Sequence, residues 1–128
     1  GAAVVAAGVI PRLVSLASAS ATYRVPALRT LGNIVTGDDR STQAVIDAGV
    51  IPVLMALFTS DTETVRKESC WAASNIAAGN RDQVATLCDT PGLVDTIVSI
   101  ITSADNSFAV KKEACWVLSN ATSGGAIE

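Results

Sequence analysis

Two tryptophans and three asparagines carry the chemistry available to this chain. Trp71 stands four residues before Asn75 and Trp116 four before Asn120, while Glu68 and Glu113 each lie three residues ahead of their Trp. Asn33 repeats the asparagine, with Arg29 in the place of the Trp. An indole offers a broad apolar face that attracts a cation through its ring quadrupole, and a neighbouring carboxylate neutralises the charge. Two such rings one helix apart form a slot for the aliphatic stem of a lysine or arginine. A carboxamide both donates and accepts, so a row of asparagines can hold an extended main chain without reading its side chains. The chemistry on offer is recognition of a basic, extended peptide.

Bond-making chemistry has little to work with. The 128 residues contain no histidine, which removes the usual general base and the commonest zinc ligand. Cys70, Cys88 and Cys115 form no CxxC pair, and their odd number argues for a reducing compartment over a disulfide framework. No phosphate loop, metal-ligand spacing or nucleophile and base pair is present, so neither an enzyme nor a cofactor or metal is expected. Nine basic against twelve acidic residues give a net charge of -3, the wrong sign for nucleic acid and the right one for a basic partner. Hydrophobic residues make up 49%, which excludes disorder, yet the apolar stretch 1–10 stops at Pro11 and Arg12, short of the roughly 20 residues of a membrane span. A start at Gly with no basic lead-in reads as part of a longer chain without a signal peptide.

The elements that must position these residues are written three times. VRKESCWAASNIAAG at 65–79 recurs as VKKEACWVLSNATSG at 110–124 and, more faintly, as YRVPALRTLGNIVTG at 23–37. The asparagines mark spacings of 42 and 45 residues, and Gly8-Val-Ile-Pro11, Gly49-Val-Ile-Pro52 and the looser run 91–94 precede the copies at similar distances. Periods in the low forties with helical patterning belong to solenoids of the armadillo and HEAT class. Repeats are expected at about 1–38, 39–80 and 81–125, with a further one beginning at 126–128. In the second, 41–48 predicts a short helix ended by Gly49, 51–58 an apolar helix with Pro52 in its first turn, and Thr62 or Thr64 starts a third running to Gly79. Gly37 and Gly124 are expected to stop the equivalent helices. The alanine-rich start, 1–7, fits the pattern of a first short helix.

On the third helix, steps of about 100° per residue gather Val65, Ser69, Ala72, Ala73 and Ile76 on one arc, and Val110, Ala114, Val117, Leu118 and Ala121 on its counterpart. Trp71, Asn75 and Glu68 fall off that arc, as do Trp116, Asn120 and Glu113. A lone Trp is ordinarily a core residue; two at equivalent places off the apolar arc point to a ladder facing a ligand. The asparagines could otherwise cap their own helix ends near the glycines. Cys70 and Cys115 read as small packing residues, and Arg66, Lys67, Lys111 and Lys112 as solvated charges. Because one such repeat cannot enclose a core, the outer faces near 4–13 and 117–127 are expected to self-associate.

The runs 27–39, 66–80 and 111–125 resemble armadillo repeats of the importin alpha, or karyopherin alpha, family. Catenins share the helix pattern without this Trp and Asn ladder, and a catenin-type scaffold is the alternative. The resemblance implies an all-α, right-handed solenoid of three three-helix repeats and a nuclear import adaptor that shuttles between cytoplasm and nucleus. It implies binding of cargo nuclear localisation signals as extended Lys- and Arg-rich peptides on the concave face, with importin beta as a partner of the longer parent. The order Arg29, Trp71, Trp116 matches the sixth to eighth repeats, the family's minor signal-binding site. By that match Trp71 and Trp116 are aromatic walls and Asn33, Asn75 and Asn120 backbone clamps, with Glu113 and Ser74 as polar lining. Val35, Thr36, Gly37 and Thr42 would form a deep lysine pocket, with Asp39 as countercharge.

Overall fold

The structure, a computed structural model, describes the backbone of residues 2–123 and the side chains of 8–123. Eight helices account for it: α1 (Ala2–Ala19), α2 (Arg24–Ile34), α3 (Asp39–Asp47), α4 (Val50–Leu57), α5 (Glu63–Ile76), α6 (Arg81–Cys88), α7 (Leu93–Thr102) and α8 (Phe108–Ser123), with no strand among the described residues. α3 to α5 and α6 to α8 are successive three-helix units. In each, a short polar helix bends into an apolar one, by 74° between α6 and α7, and a long helix follows. The chain is all-α and an armadillo-type solenoid.

Local chemistry fixes the boundaries. Asp38 caps α3 by accepting the Ser41 amide at 2.8 Å, and that bond holds its carboxyl below the ordinary value. Asn80 and Gln83 form a reciprocal capping box on α6. The sharp bends at Gly49 and Gly92 have φ of +88° and +79°, a left-handed conformation that side-chain-bearing residues rarely adopt. The run Gly8-Val-Ile-Pro11 marks the matching place in the first copy, where 1–7 fits a separate short helix, but α1 continues through Gly8 and Pro11 as one helix. Alanine, four times present in 2–7, has the highest helix propensity. Gly37 and Gly79 also differ from expectation. Neither takes positive φ; the third helices end at Ile34 and Ile76, and right-handed Val35 and Ala77 lead into turns closed by the Gly37 and Gly79 amides on the Ile34 and Ile76 carbonyls. Gly124 and the outer parts of the 4–13 and 117–127 faces lie outside the described side chains.

One core runs the length of the stack. The arc expected on α5 is buried at Val65, Ser69, Ala72, Ala73 and Ile76, and on α8 at Val110, Ala114, Val117 and Ala121, with Leu118 packed at its margin. Phe58, Leu54, Leu87, Leu93 and Ile97 from the middle and first helices close over it. α5 packs between α2 and α8, so the three long helices lie side by side. Polar side chains knit the units together. Gln83 is almost fully buried and donates to the Asp39 carbonyl at 2.8 Å, tying α6 to α3. Arg66 is not the solvated charge the sequence suggested: its guanidinium donates to the Ser60 carbonyl at 2.8 Å and to Asn106 Oδ1 at 2.9 Å. Arg24 grips the Ala17 and Ser18 carbonyls at the end of α1 in the same manner. Planar forks suit this task because several carbonyls converge at a helix end.

Gly49 tests the bend by itself, because a Cβ there would meet nothing within 4 Å. Gly49→Ala should therefore lower unfolding free energy by about 1 kcal/mol through backbone strain alone, read from the urea midpoint with an unchanged slope.

Candidate peptide-binding face

α2, α5 and α8 each bring one ladder position to a common face. Trp71 is half-buried and Trp116 is 51% exposed, and neither indole lies in the core. Together they bound a cleft of about 250 Å³ whose other walls are Ser74, Asn75, Glu113 and Asn120. A second cleft, of about 280 Å³, is lined by Arg29, Lys67, Glu68, Trp71 and Glu113. A third, of about 220 Å³, is formed by Val35, Thr36, Gly37, Asp39 and Thr42 together with Asn75, Ala78 and Gly79. The three are contiguous through shared residues: Trp71 and Glu113 join the first two, and Asn75 joins the first to the third.

The asparagines do something the sequence reading did not offer. Asn75 Nδ2 donates to the Gly32 carbonyl on α2 at 3.1 Å, and Asn120 Nδ2 donates to the Ser74 carbonyl on α5 at 2.9 Å. Each carboxamide bridges to the preceding long helix instead of capping its own. The bridge uses one of two amide hydrogens and leaves the other and the carbonyl oxygen for a ligand, in a fixed orientation. Asn33 is exposed on α2 and makes no such bridge among the described residues, since α2 has no earlier ladder helix beside it.

The two glutamates also part company. Glu68 is 6% exposed and its carboxylate lies 3.6 Å from the Arg29 guanidinium, so an incoming cation would have to compete with Arg29 for it. Glu113 has only a 4.0 Å approach from the exposed Lys112 and is the freer countercharge for a cation between the indoles. In the third cleft Thr42 is buried and its hydroxyl is shared between the Val35 and Asp38 carbonyls, so it forms floor and not a contact. Val35 is likewise floor; Thr36, Gly37 and Asp39 form the exposed rim. Ser74 is buried and its hydroxyl donates back to the Trp71 carbonyl at 2.6 Å, so that proton is already engaged within α5.

Three residues of this face were not assigned to it from sequence. Ala78 and Gly79 line the third cleft only because the turn after α5 folds back against the start of α3. Gly32 is the third: a Cβ built on it would strike the six-membered ring of Trp71, with Cε3 at 2.8 Å and Cη2 at 2.9 Å. A glycine one residue before Asn33 was the available signal, because the other two copies carry Ser74 and Ser119 there.

The Armadillo/beta-catenin-like repeat family matches residues 38–78, which span α3 to α5. The importin subunit alpha-1a of Oryza sativa subsp. japonica is 48% identical over 105 residues, 80% of this chain and 20% of that protein. The importin subunit alpha-3 of Arabidopsis thaliana is 49% identical over 71 residues, 54% of this chain and 13% of its own length. The chain is an armadillo-repeat solenoid similar to importin alpha. It spans about a fifth, or less, of the length of these importin alpha relatives. Among solved structures, a designed armadillo repeat protein in complex with the peptide (KR)4 superposes with a TM-score of 0.79 at 30% identity, over 93% of this chain and 54% of that one. Among the described residues no cluster of potential metal ligands occurs, and no single helix is long and apolar enough to cross a membrane.

The cysteines of the armadillo ladder helices differ more than their matched places suggest. Cys70 is fully buried, as expected, and burial pushes its thiol up to about 12, with Glu113 adding to the shift and Arg66 opposing it. Cys115 is exposed, contrary to its reading as a packing residue, because α8 covers that side of α5 whereas no described helix covers the same side of α8. In the folded chain Cys70 keeps its proton to about pH 12, whereas the unfolded thiol loses it near the ordinary 9.0. The unfolded state then binds fewer protons, so stability falls as pH rises from 9 towards 12. Urea midpoints across that window should drop less steeply for Cys70→Ala than for the parent. Under native conditions a thiol reagent should label Cys115 and spare Cys70.

Proposed function

We propose that the face made by α2, α5 and α8 binds Lys- and Arg-rich nuclear localisation signals as extended peptides, and that the chain serves as part of a nuclear import adaptor. The observation that carries this reading is the convergence of both indoles, both bridging asparagines and Glu113 on one cleft. A lysine or arginine stem entering it meets apolar ring faces along its length and a carboxylate at its head. Asn75 and Asn120, each held by its bridge, present a carbonyl oxygen and one amide hydrogen to the peptide main chain. The rim of Thr36, Gly37 and Asp39 offers a further lysine pocket beside Asn75. Similarity to importin alpha subunits supports the import role, and the (KR)4 peptide held by a designed relative of the same fold supports the ligand class.

The remaining assignments belong to the same proposal. The repeats correspond to about 1–38, 39–80 and 81–125 and to the minor signal-binding site of importin alpha. The adaptor acts without enzymatic activity, passes between cytoplasm and nucleus, and in its longer parent engages importin beta.

A fluorescent Lys- and Arg-rich peptide titrated from low to high salt tests the site. Added salt should slow association, because the net acidic field is screened over about 8 Å, and should leave a residual affinity from close cation and ring contacts. Trp71→Ala with Trp116→Ala should remove that residue. Parent-like binding at high salt by the double variant would place the ligand elsewhere, and indifference of the parent to basic peptides would favour a catenin-type scaffold.

Asn75→Ala and Asn120→Ala should each weaken different basic peptides about equally, by on the order of 1 to 2 kcal/mol. Because each also loses a bridge to the neighbouring helix, unfolding free energy should fall by about 1 kcal/mol. A change in the rank order of peptides would show that these asparagines read side chains.

A further inference from the structure

We propose that Gly32 is a positioning residue: lacking a Cβ, it lets the Trp71 ring lie back against α2 and so sets the width of the slot between Trp71 and Trp116. The slot's role in peptide binding rests on the function proposed above; the seating of the ring does not.

Three observations converge on Gly32. A side-chain carbon there would overlap the benzo edge of Trp71, so the ring occupies the space that any other residue would fill. The Gly32 carbonyl accepts the Asn75 bridge, so one backbone position seats both the first aromatic wall and the first clamp of α5. One unit along, the equivalent place is Ser74. Its carbonyl accepts the Asn120 bridge in the same way, but its Cβ is present, and it lines the cleft beside Trp116. Trp71 is half-buried on a helix flanked by both α2 and α8, whereas Trp116, on α8 with no described helix beyond it, is 51% exposed. The missing Cβ at Gly32 therefore sets how far the Trp71 ring leans back against α2. A ring displaced from α2 can only move towards α8 or outwards, because α5 itself lies beneath it. Either movement spoils a slot of about 250 Å³ that has to admit an alkyl stem with ring contact on both sides.

Gly32→Ser gives this position the residue of its counterpart Ser74 and reads the proposal without any peptide. With Trp116 replaced by Phe, Trp71 is the sole indole, and Gly32→Ser should shift its emission to longer wavelength and increase its quenching by acrylamide. Circular dichroism confirms folding, and should Gly32→Ser not fold, the smaller Gly32→Ala with the same readout decides. Unchanged emission and quenching of the indole in a folded variant would overturn the seating.

On an otherwise unaltered chain, Gly32→Ser should weaken a (Lys-Arg)4 peptide on the order of fivefold, the loss of part of one cation and ring contact. Its Asn75→Ala penalty should stay the same, since the Gly32 carbonyl remains. Increased quenching with unchanged affinity would overturn the claim about slot width. Failure of the parent to bind the peptide at all counts against the proposed function and leaves the peptide-free readout to decide the seating.

Discussion

A three-helix unit of about forty residues has too little interior to satisfy its own apolar surface, and the rest of the structure follows from that deficit. Each long helix must lay its apolar arc against its own unit and its neighbour's, which sets α2, α5 and α8 side by side with α5 in the middle. Once the arcs are committed to the core, whatever lies on the remaining sector of each long helix is brought into a row. The ladder is a by-product of burial, with its spacing fixed by helix packing and its chemistry left free to vary.

Polar groups determine the precision of that row. A stack held only by apolar contact could slide by a fraction of a turn with little penalty, because dispersion contacts have no direction. Directional bonds between units remove that freedom. Asn75 and Asn120 bond to the preceding long helix, Gln83 bonds α6 to the Asp39 carbonyl of α3, and Arg66 joins the loop after α4 to Asn106. Every buried side-chain nitrogen or oxygen among the described residues has a partner. The same asparagines that face a ligand thus also hold the register, which couples the geometry of the face to the integrity of the stack.

Electrostatics divides the face into positions already paired and positions still open. Glu68 is committed to Arg29 at 3.6 Å, and the buried carboxylate is thereby compensated without a ligand. Glu113, with a single distant lysine, retains most of its field for the cleft between the indoles. Replacing the ladder Trp by Arg29 in the first unit therefore does more than remove an aromatic wall: it supplies the internal countercharge for the next unit's glutamate.

The repeat period, the helical class, the apolar arc of α5 and α8 and the off-arc placement of Trp71, Asn75, Trp116 and Asn120 were all legible in the order of residues, because each depends on the local 3.6-residue period and on capping chemistry within a few positions. The bend at Gly49 was legible for the same reason, whereas Gly8 misled, since an identical tetrapeptide behaves differently when the residues before it are alanines. What sequence could not supply were relations between units about forty residues apart: the Asn75 bridge to Gly32, the gap in which Trp71 lies, the capture of Glu68 by Arg29, and the burial of Cys70 against the exposure of Cys115. These depend on which helix lies next to which and at what distance. Only the packed stack brings a glycine's missing Cβ opposite an indole.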